Sequence, residues 1–112
     1  MTAGENVKFV FHEKLYTEGM SSRKIKSIRN KVMKGSFKLG IFLITLPLVG
    51  DGILEVYWYP ELLQSIYKKS DDNVIVIGIA ESREDAFSLV ERIIRDVGIL
   101  GGQIPIADYF GG

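Results

Sequence analysis

The sequence predicts an α+β fold of the ferredoxin-like type, with a four-stranded, mainly antiparallel sheet and an additional C-terminal helix. Three observations support this prediction. The apolar run Val74–Ala80 is typical of a buried strand. The segment after it has the period of an amphipathic helix. A glycine-rich turn at 50–52 separates two apolar segments, as in a hairpin.

The length of 112 residues predicts one domain over 1–112. Its ordered core is expected over about 7–98, followed by a glycine-rich C-terminal tail over 98–112. The first element, Val7–His12, alternates aromatic or β-branched side chains with polar ones except at Val10, which favours a strand. A helix extending through Leu15 also fits this segment.

A helix is predicted over 22–34. Ser21 or Ser22 can act as its N-cap, and Gly35 can adopt the left-handed conformation at its C-terminal end. Its apolar side chains recur at spacings of three and four, which places them on one face: Ile25, Ile28 and Val32.

The middle of the chain predicts a hairpin and a second helix. Leu39–Leu48 is apolar on both faces, and Pro47 disfavours a helix there, so a strand is expected. Ile53–Tyr59 is predicted to be the returning strand. Pro60 is expected as the first residue of the next helix, where its missing N–H has no intrahelical partner to lose.

Residues 73–98 are predicted to form a strand–turn–helix unit. Ser82 and Asp85 have the spacing of a capping box, and Gly98 is expected to end the helix. The strand raises a conflict, because the ferredoxin-like topology places the fourth strand at a sheet edge whereas this strand is apolar on both faces. The last helix or a second subunit would have to cover it. We therefore expect a homo-oligomer, most simply a dimer.

The composition excludes several chemistries. The absence of cysteine excludes disulfides, thiolate nucleophiles and cysteine metal sites. His12 is the only histidine, so it is interpreted as a polar strand residue, and no cofactor or metal site is predicted. The apolar run over 39–50 is shorter than the ~20 residues that span a bilayer. We expect a cytoplasmic protein that does not interact with membranes.

The charges are unevenly distributed. Residues 1–38 hold nine basic and three acidic side chains, a net +6, whereas 39–112 hold five basic and eleven acidic side chains, a net −6. Six basic residues fall in the first predicted helix: Arg23, Lys24, Lys26, Arg29, Lys31 and Lys34. Such a surface could neutralise phosphates. The pI near 6.6 and the lack of a nucleic-acid motif favour a solvated face or contact with an acidic partner.

Acidic and aromatic residues give the remaining candidates. Glu55, Tyr57 and Tyr59 share one face of the predicted strand and could contact a cationic ligand, although a solvated strand face is the simpler interpretation. The acids around 71–85 could hold a divalent cation. Acids in a first helical turn are, however, already expected from the helix dipole.

Three functional hypotheses follow. The leading one is a non-enzymatic, oligomeric ligand-binding or regulatory module. The second is a nucleic-acid-binding protein that uses the basic helix 22–34. The third is a small enzyme that uses the carboxylates of Glu55 and Glu81.

Overall fold

The computed structural model describes residues 8–36, 38–47, 54–66 and 73–100. The predicted turn at 50–52 and the tail beyond Leu100 lie outside these ranges. The elements occur in the predicted β-α-β-β-α-β-α order: β1 (Lys8–Thr17), α1 (Ser22–Met33), β2 (Phe42–Thr45), β3 (Glu55–Trp58), α2 (Tyr59–Ile66), β4 (Asn73–Ala80) and α3 (Arg83–Leu100). Among the described residues, no helix is both long and apolar enough to span a membrane.

The four strands form one mixed sheet in the order β1-β4-β2-β3. β4 pairs in parallel with β1 and antiparallel with β2, and β2 pairs antiparallel with β3. The α+β class and the four strands are confirmed. The ferredoxin-like strand order was wrong, because that order places β4 at an edge and the structure places it between β1 and β2. The sheet is antiparallel in two of its three strand pairs.

Helices of the same chain cover β4 on both faces. Val74, Val76 and Ile79 belong to a core cluster that includes side chains of α1 and α2. Ile77 and Ala80 belong to a second cluster with side chains of α3. Because both faces are buried within one chain, the apolar character of β4 follows from its central position. It therefore no longer supports a homo-oligomer.

A bulge in β4 changes which side chains face each cluster. Ile44 of β2 pairs with Gly78, and Thr45 pairs with Val76, so Ile77 is an extra residue in β4. Ile77 and Gly78 consequently face the α3 side in succession: a Cβ atom on Gly78 would lie 3.0 Å from Cδ1 of Ile44, a residue of the α3-side cluster. Glycine permits this close approach of β4 to β2.

β1 continues beyond the predicted end at His12 to Thr17. A second irregularity lies between Phe11 and Tyr16. Phe11 pairs with Val76 and Tyr16 pairs with Gly78, so four residues of β1 lie opposite one residue of β4. Within this bulge the backbone N–H of Lys14 donates to Nδ1 of His12 at 3.0 Å. The alternating pattern that predicted the strand ends at His12, where the bulge begins.

The helix ends result from local side-chain chemistry. The Ser21 hydroxyl accepts a hydrogen bond from the backbone N–H of Lys24 at 3.1 Å, and the Ser82 hydroxyl accepts one from Asp85 at 3.1 Å. Gly35 ends α1 with φ +70°, as predicted. Gly98, by contrast, does not end α3, which continues to Leu100. A single glycine lowers helix stability without requiring a break.

The same substitution at these two glycines is expected to have opposite effects. Gly35→Ala should lower the free energy of unfolding by about 1–2 kcal/mol, because an L-residue is strained at positive φ. Gly98→Ala should raise it by about 0.5–1 kcal/mol, because alanine favours a helix interior and its Cβ meets no atom within 4 Å. Urea denaturation measures both values. A destabilising Gly98→Ala would mean that α3 ends at Gly98.

Candidate functional site: a groove between α1 and β1

An open groove lies between α1 and β1, which is an edge strand of the sheet. Its volume is about 1050 Å³, close to the upper limit of about 1,000 Å³ for ligand-binding clefts. Its walls are Phe9, Val10 and Phe11 from β1 and Ser22, Ile25, Lys26, Arg29, Asn30 and Met33 from α1. We call this the α1–β1 groove.

The apolar part of the groove includes two well-exposed side chains. Val10 is 44% exposed and Met33 is 65% exposed, although both are large hydrophobic residues. Phe9 is buried and Phe11 is partly buried against the core, so they connect this surface to the interior. An exposed apolar surface beside polar side chains is a feature of binding sites.

Two of the basic residues predicted from the sequence lie in this groove. The guanidinium carbon of Arg29 is 5.2 Å from the centroid of the Phe11 ring, a cation–π distance. Lys26 precedes Arg29 by three residues, so both lie on one face of α1. The groove thus combines apolar side chains with two cations, one of which is positioned by an aromatic ring.

The other four basic residues of this helix lie outside the groove. Arg23, Lys31 and Lys34 are exposed and are not among its lining residues. Lys24 forms an ion pair with Glu81, which connects α1 to the loop before α3. The sequence therefore identified the charged helix, but only the structure separates the two groove cations from the rest.

Glu55 and Tyr57 form a pair on β3. The Tyr57 hydroxyl donates to Oε1 of Glu55 at 2.6 Å. Burial is the largest cause that raises the pKa of Tyr57 to about 12, and the hydrogen bond to Glu55 and the negative charge of Glu55 contribute to the same rise. Tyr57 therefore remains protonated at neutral pH and keeps one Glu55 oxygen engaged, which leaves less of the carboxylate for a cationic ligand.

Tyr59 does not join this pair. β3 ends at Trp58, and Tyr59 is the first residue of α2, with its backbone N–H bonded to the carbonyl of Ile41 at 2.9 Å. Its ring is fully buried and lies 6.0 Å from that of Phe9. The predicted strand Ile53–Tyr59 ended one residue too late and began before Glu55. Because Tyr59 belongs to α2 instead, its ring lies in the core and not on the predicted ligand face.

The two carboxylates of the enzyme hypothesis lie at opposite ends of the sheet. Glu55 is paired through Thr45 to the level of Val76, whereas Glu81 follows Ala80. Thr45 and Phe42 of β2, which pair with Val76 and Ala80, are three residues apart, so these levels are separated by about 10 Å. No group of three or more potential metal ligands occurs within the ranges that the structure describes.

A second polar cluster joins the end of β1 to α3. The Tyr16 hydroxyl donates to Oδ2 of Asp96 at 2.7 Å, and Arg92 donates to the carbonyl of Thr17 at 2.8 Å. Arg92 also lies 3.7 Å from a carboxylate oxygen of Glu18. These groups satisfy one another, so the cluster holds the part of β1 that follows the bulge against α3.

Sequence reasoning missed the apolar half of the groove. Val10 interrupts the alternation of β1, and Met33 lies outside the apolar stripe of α1. These two departures from the periodic pattern could have indicated the groove, because each places an apolar side chain outside the core.

No protein-family model matches the sequence, and no significant similarity was found to the curated proteins or to the solved structures.

Proposed function

We propose that the protein is a small, cytoplasmic, non-enzymatic binding module whose α1–β1 groove holds a ligand with an anionic group beside an apolar portion. The observation that supports this proposal is Arg29, held 5.2 Å above the Phe11 ring at the side of an exposed apolar surface. The cytoplasmic location expected from the cysteine-free sequence is part of the proposal.

The groove matches such a ligand for two physical reasons. Burying exposed apolar surface is worth about 25 cal/mol per Å², and Met33 on α1 offers such surface, with Val10 adding more at the edge of β1. A hydrogen bond from a charged donor contributes about 1.5–3 kcal/mol, and Lys26 and Arg29 supply charged donors next to that surface. The two contributions act on different parts of one ligand.

The probe for this proposal is 8-anilinonaphthalene-1-sulfonate, which joins a sulfonate to aromatic rings. Arg29→Gln should weaken its binding roughly tenfold, the loss expected when a charged hydrogen bond is removed. Arg23→Gln, an exposed position on the same helix outside the groove, should change the affinity less than threefold. Fluorescence titration of the folded protein gives both dissociation constants.

A second pair of variants tests the apolar part. Met33→Gln should weaken probe binding, whereas Phe87→Gln should not, because Phe87 is 56% exposed but lies on α3. Equal effects at groove and control positions would contradict the proposal, since they would show that the probe reports net charge or general exposed apolar surface.

Nucleic-acid binding is the second candidate, and one observation favours it. α1 carries five basic residues and no acidic residue, and three cations, Arg23, Lys31 and Lys34, are exposed outside the groove. A 20-nucleotide oligo-dT or oligo-U should then bind with an affinity that falls steeply as salt rises. Replacing Arg23 and Lys31 by glutamine should weaken that binding without affecting the sulfonate probe. No binding at low salt would contradict this candidate.

A further inference from the structure

β1 has a short, regular stretch at the outer edge of the sheet that the described residues form. Lys8–Phe11 pairs in continuous register with Asn73–Val76 on one side, and no described strand lies on its other side. A strand edge presents alternating N–H and C=O groups to any chain that approaches. The bulge after Phe11 ends the regular edge, so the stretch can pair with a segment of about four to six residues.

The α1–β1 groove lies along this edge. Strands in a sheet are about 4.8 Å apart, so a strand added beside β1 would enter the groove next to α1. Alternate side chains of that strand would face Ile25, Arg29 and Met33, and the others would lie on the side of Val10. An added strand would therefore form backbone hydrogen bonds with β1 and side-chain contacts with α1 at the same site.

We infer that the α1–β1 groove binds an extended acidic segment of another protein, which adds to the sheet as a fifth strand beside β1. The inference rests on the proposed function and specifies its ligand. Charge complementarity selects the occupant, because α1 has five basic residues and no acidic one. Strand addition to a sheet edge combines main-chain hydrogen bonds for affinity with side-chain contacts for specificity.

Two other occupants fit the site less well. Pairing of β1 with β1 of a second copy would bring two basic α1 helices together, and like charges across an interface are unfavourable. A nucleic-acid backbone would complement the cations but not the alternating N–H and C=O groups of the edge or the apolar side chains of Val10 and Met33.

The test uses a blocked hexapeptide of alternating glutamate and valine with the ¹⁵N-labelled full chain. The peptide should slow hydrogen exchange at least fivefold for those amides in Lys8–Phe11 that face away from β4 and leave the amides of the other edge strand, Glu55–Trp58, unchanged. Two N-methylated versions, modified at odd or at even positions, should differ at least tenfold in affinity, because only one set of N–H groups faces β1. Lysine in place of glutamate should weaken binding at least tenfold.

Matched charge reversals locate the site on the protein. Lys26→Glu combined with Arg29→Glu should weaken peptide binding at least tenfold. Arg23→Glu combined with Lys31→Glu makes the same change in net charge outside the groove and should weaken it less than threefold. Circular dichroism of each variant establishes that it is folded.

Several results would overturn the inference. Equal affinity of both N-methylated peptides would exclude strand pairing, and protection at β3 would place the peptide on the other edge. A U12 oligonucleotide that binds tighter than the peptide and displaces it would favour nucleic acid. Concentration-dependent sedimentation that the peptide reverses, with protection of Lys8–Phe11 in the absence of peptide, would favour a second copy. Binding of the sulfonate probe without the peptide would end this inference and leave the proposed function standing, whereas loss of both would end the two together.

Discussion

Replacing Ile77 or Ile79 by alanine is expected to lower the free energy of unfolding by about 2–5 kcal/mol in each case. Both side chains are fully buried, but Ile77 faces the α3 cluster and Ile79 faces the cluster of α1 and α2. Truncation removes apolar contacts and leaves a cavity on the corresponding face. Large losses at both positions require β4 to be covered on both sides, as its central position implies.

The matched control is Ile94→Ala on α3, where the side chain is 47% exposed. This variant should change stability by about 0.5 kcal/mol or less, because its side chain is not enclosed. Urea denaturation with an unchanged slope for all three variants allows the free energies to be compared. A loss below about 1 kcal/mol at either buried position would show that the helices on that face do not cover β4.

The sequence predicted the identity of the elements because their signals are local. The Ser21 hydroxyl and Gly35 determine the ends of α1 within one turn of the chain, and both were visible as residue types at the right spacing. The apolar run of β4 likewise required burial on both faces. Periodicity and capping residues therefore predicted whether each segment is a helix or a strand, but not which elements it packs against.

Strand order could not be obtained in the same way, because pairing depends on residues far apart in the chain. The conflict between an apolar β4 and an edge position was nevertheless informative. The last helix or a second subunit was expected to cover β4. In the structure a different strand order places β4 between β1 and β2, and α3 covers one of its faces. Parallel pairing of β1 and β4 also fits this result, since parallel strands are normally covered on both faces.

The basic residues of the candidate site could be predicted from the sequence, but the groove could not, because it depends on residues far apart in the chain. Lys26 and Arg29 were visible as charges on a helix, but the groove arises because β1 and α1 become neighbours in three dimensions. Val10 and Met33 acquire their role only from that adjacency. Tyr59 shows the effect of a wrong element boundary. Because the strand was predicted to include this residue and α2 in fact begins there, its side chain lies in the core instead of on a strand face.

Gly78→Val is the second substitution expected to have a large effect, through overpacking. A Cβ at this position would lie 3.0 Å from Cδ1 and 3.2 Å from Cβ of Ile44. The Cβ of Ile44 is attached directly to the backbone of β2, so it cannot move aside by a rotamer change. Inserting carbons into a packed core costs about 1–3 kcal/mol, and we expect valine at the upper end and alanine at the lower.

The contact with Ile44 makes this prediction specific, because the two positions should be coupled. Ile44→Ala alone should destabilise the protein by about 2–5 kcal/mol, since its side chain is fully buried. The double variant with Gly78→Ala should be less destabilised than the sum of the single variants by about 0.5–1 kcal/mol, because truncation at position 44 removes the Cδ1 contact at 3.0 Å and leaves only the Cβ contact at 3.2 Å. Additive effects would show that the bulge in β4 does not bring Gly78 against Ile44. The bulge also determines that Ile77 faces α3, so the coupling would support the two-sided burial of β4 by an independent measurement.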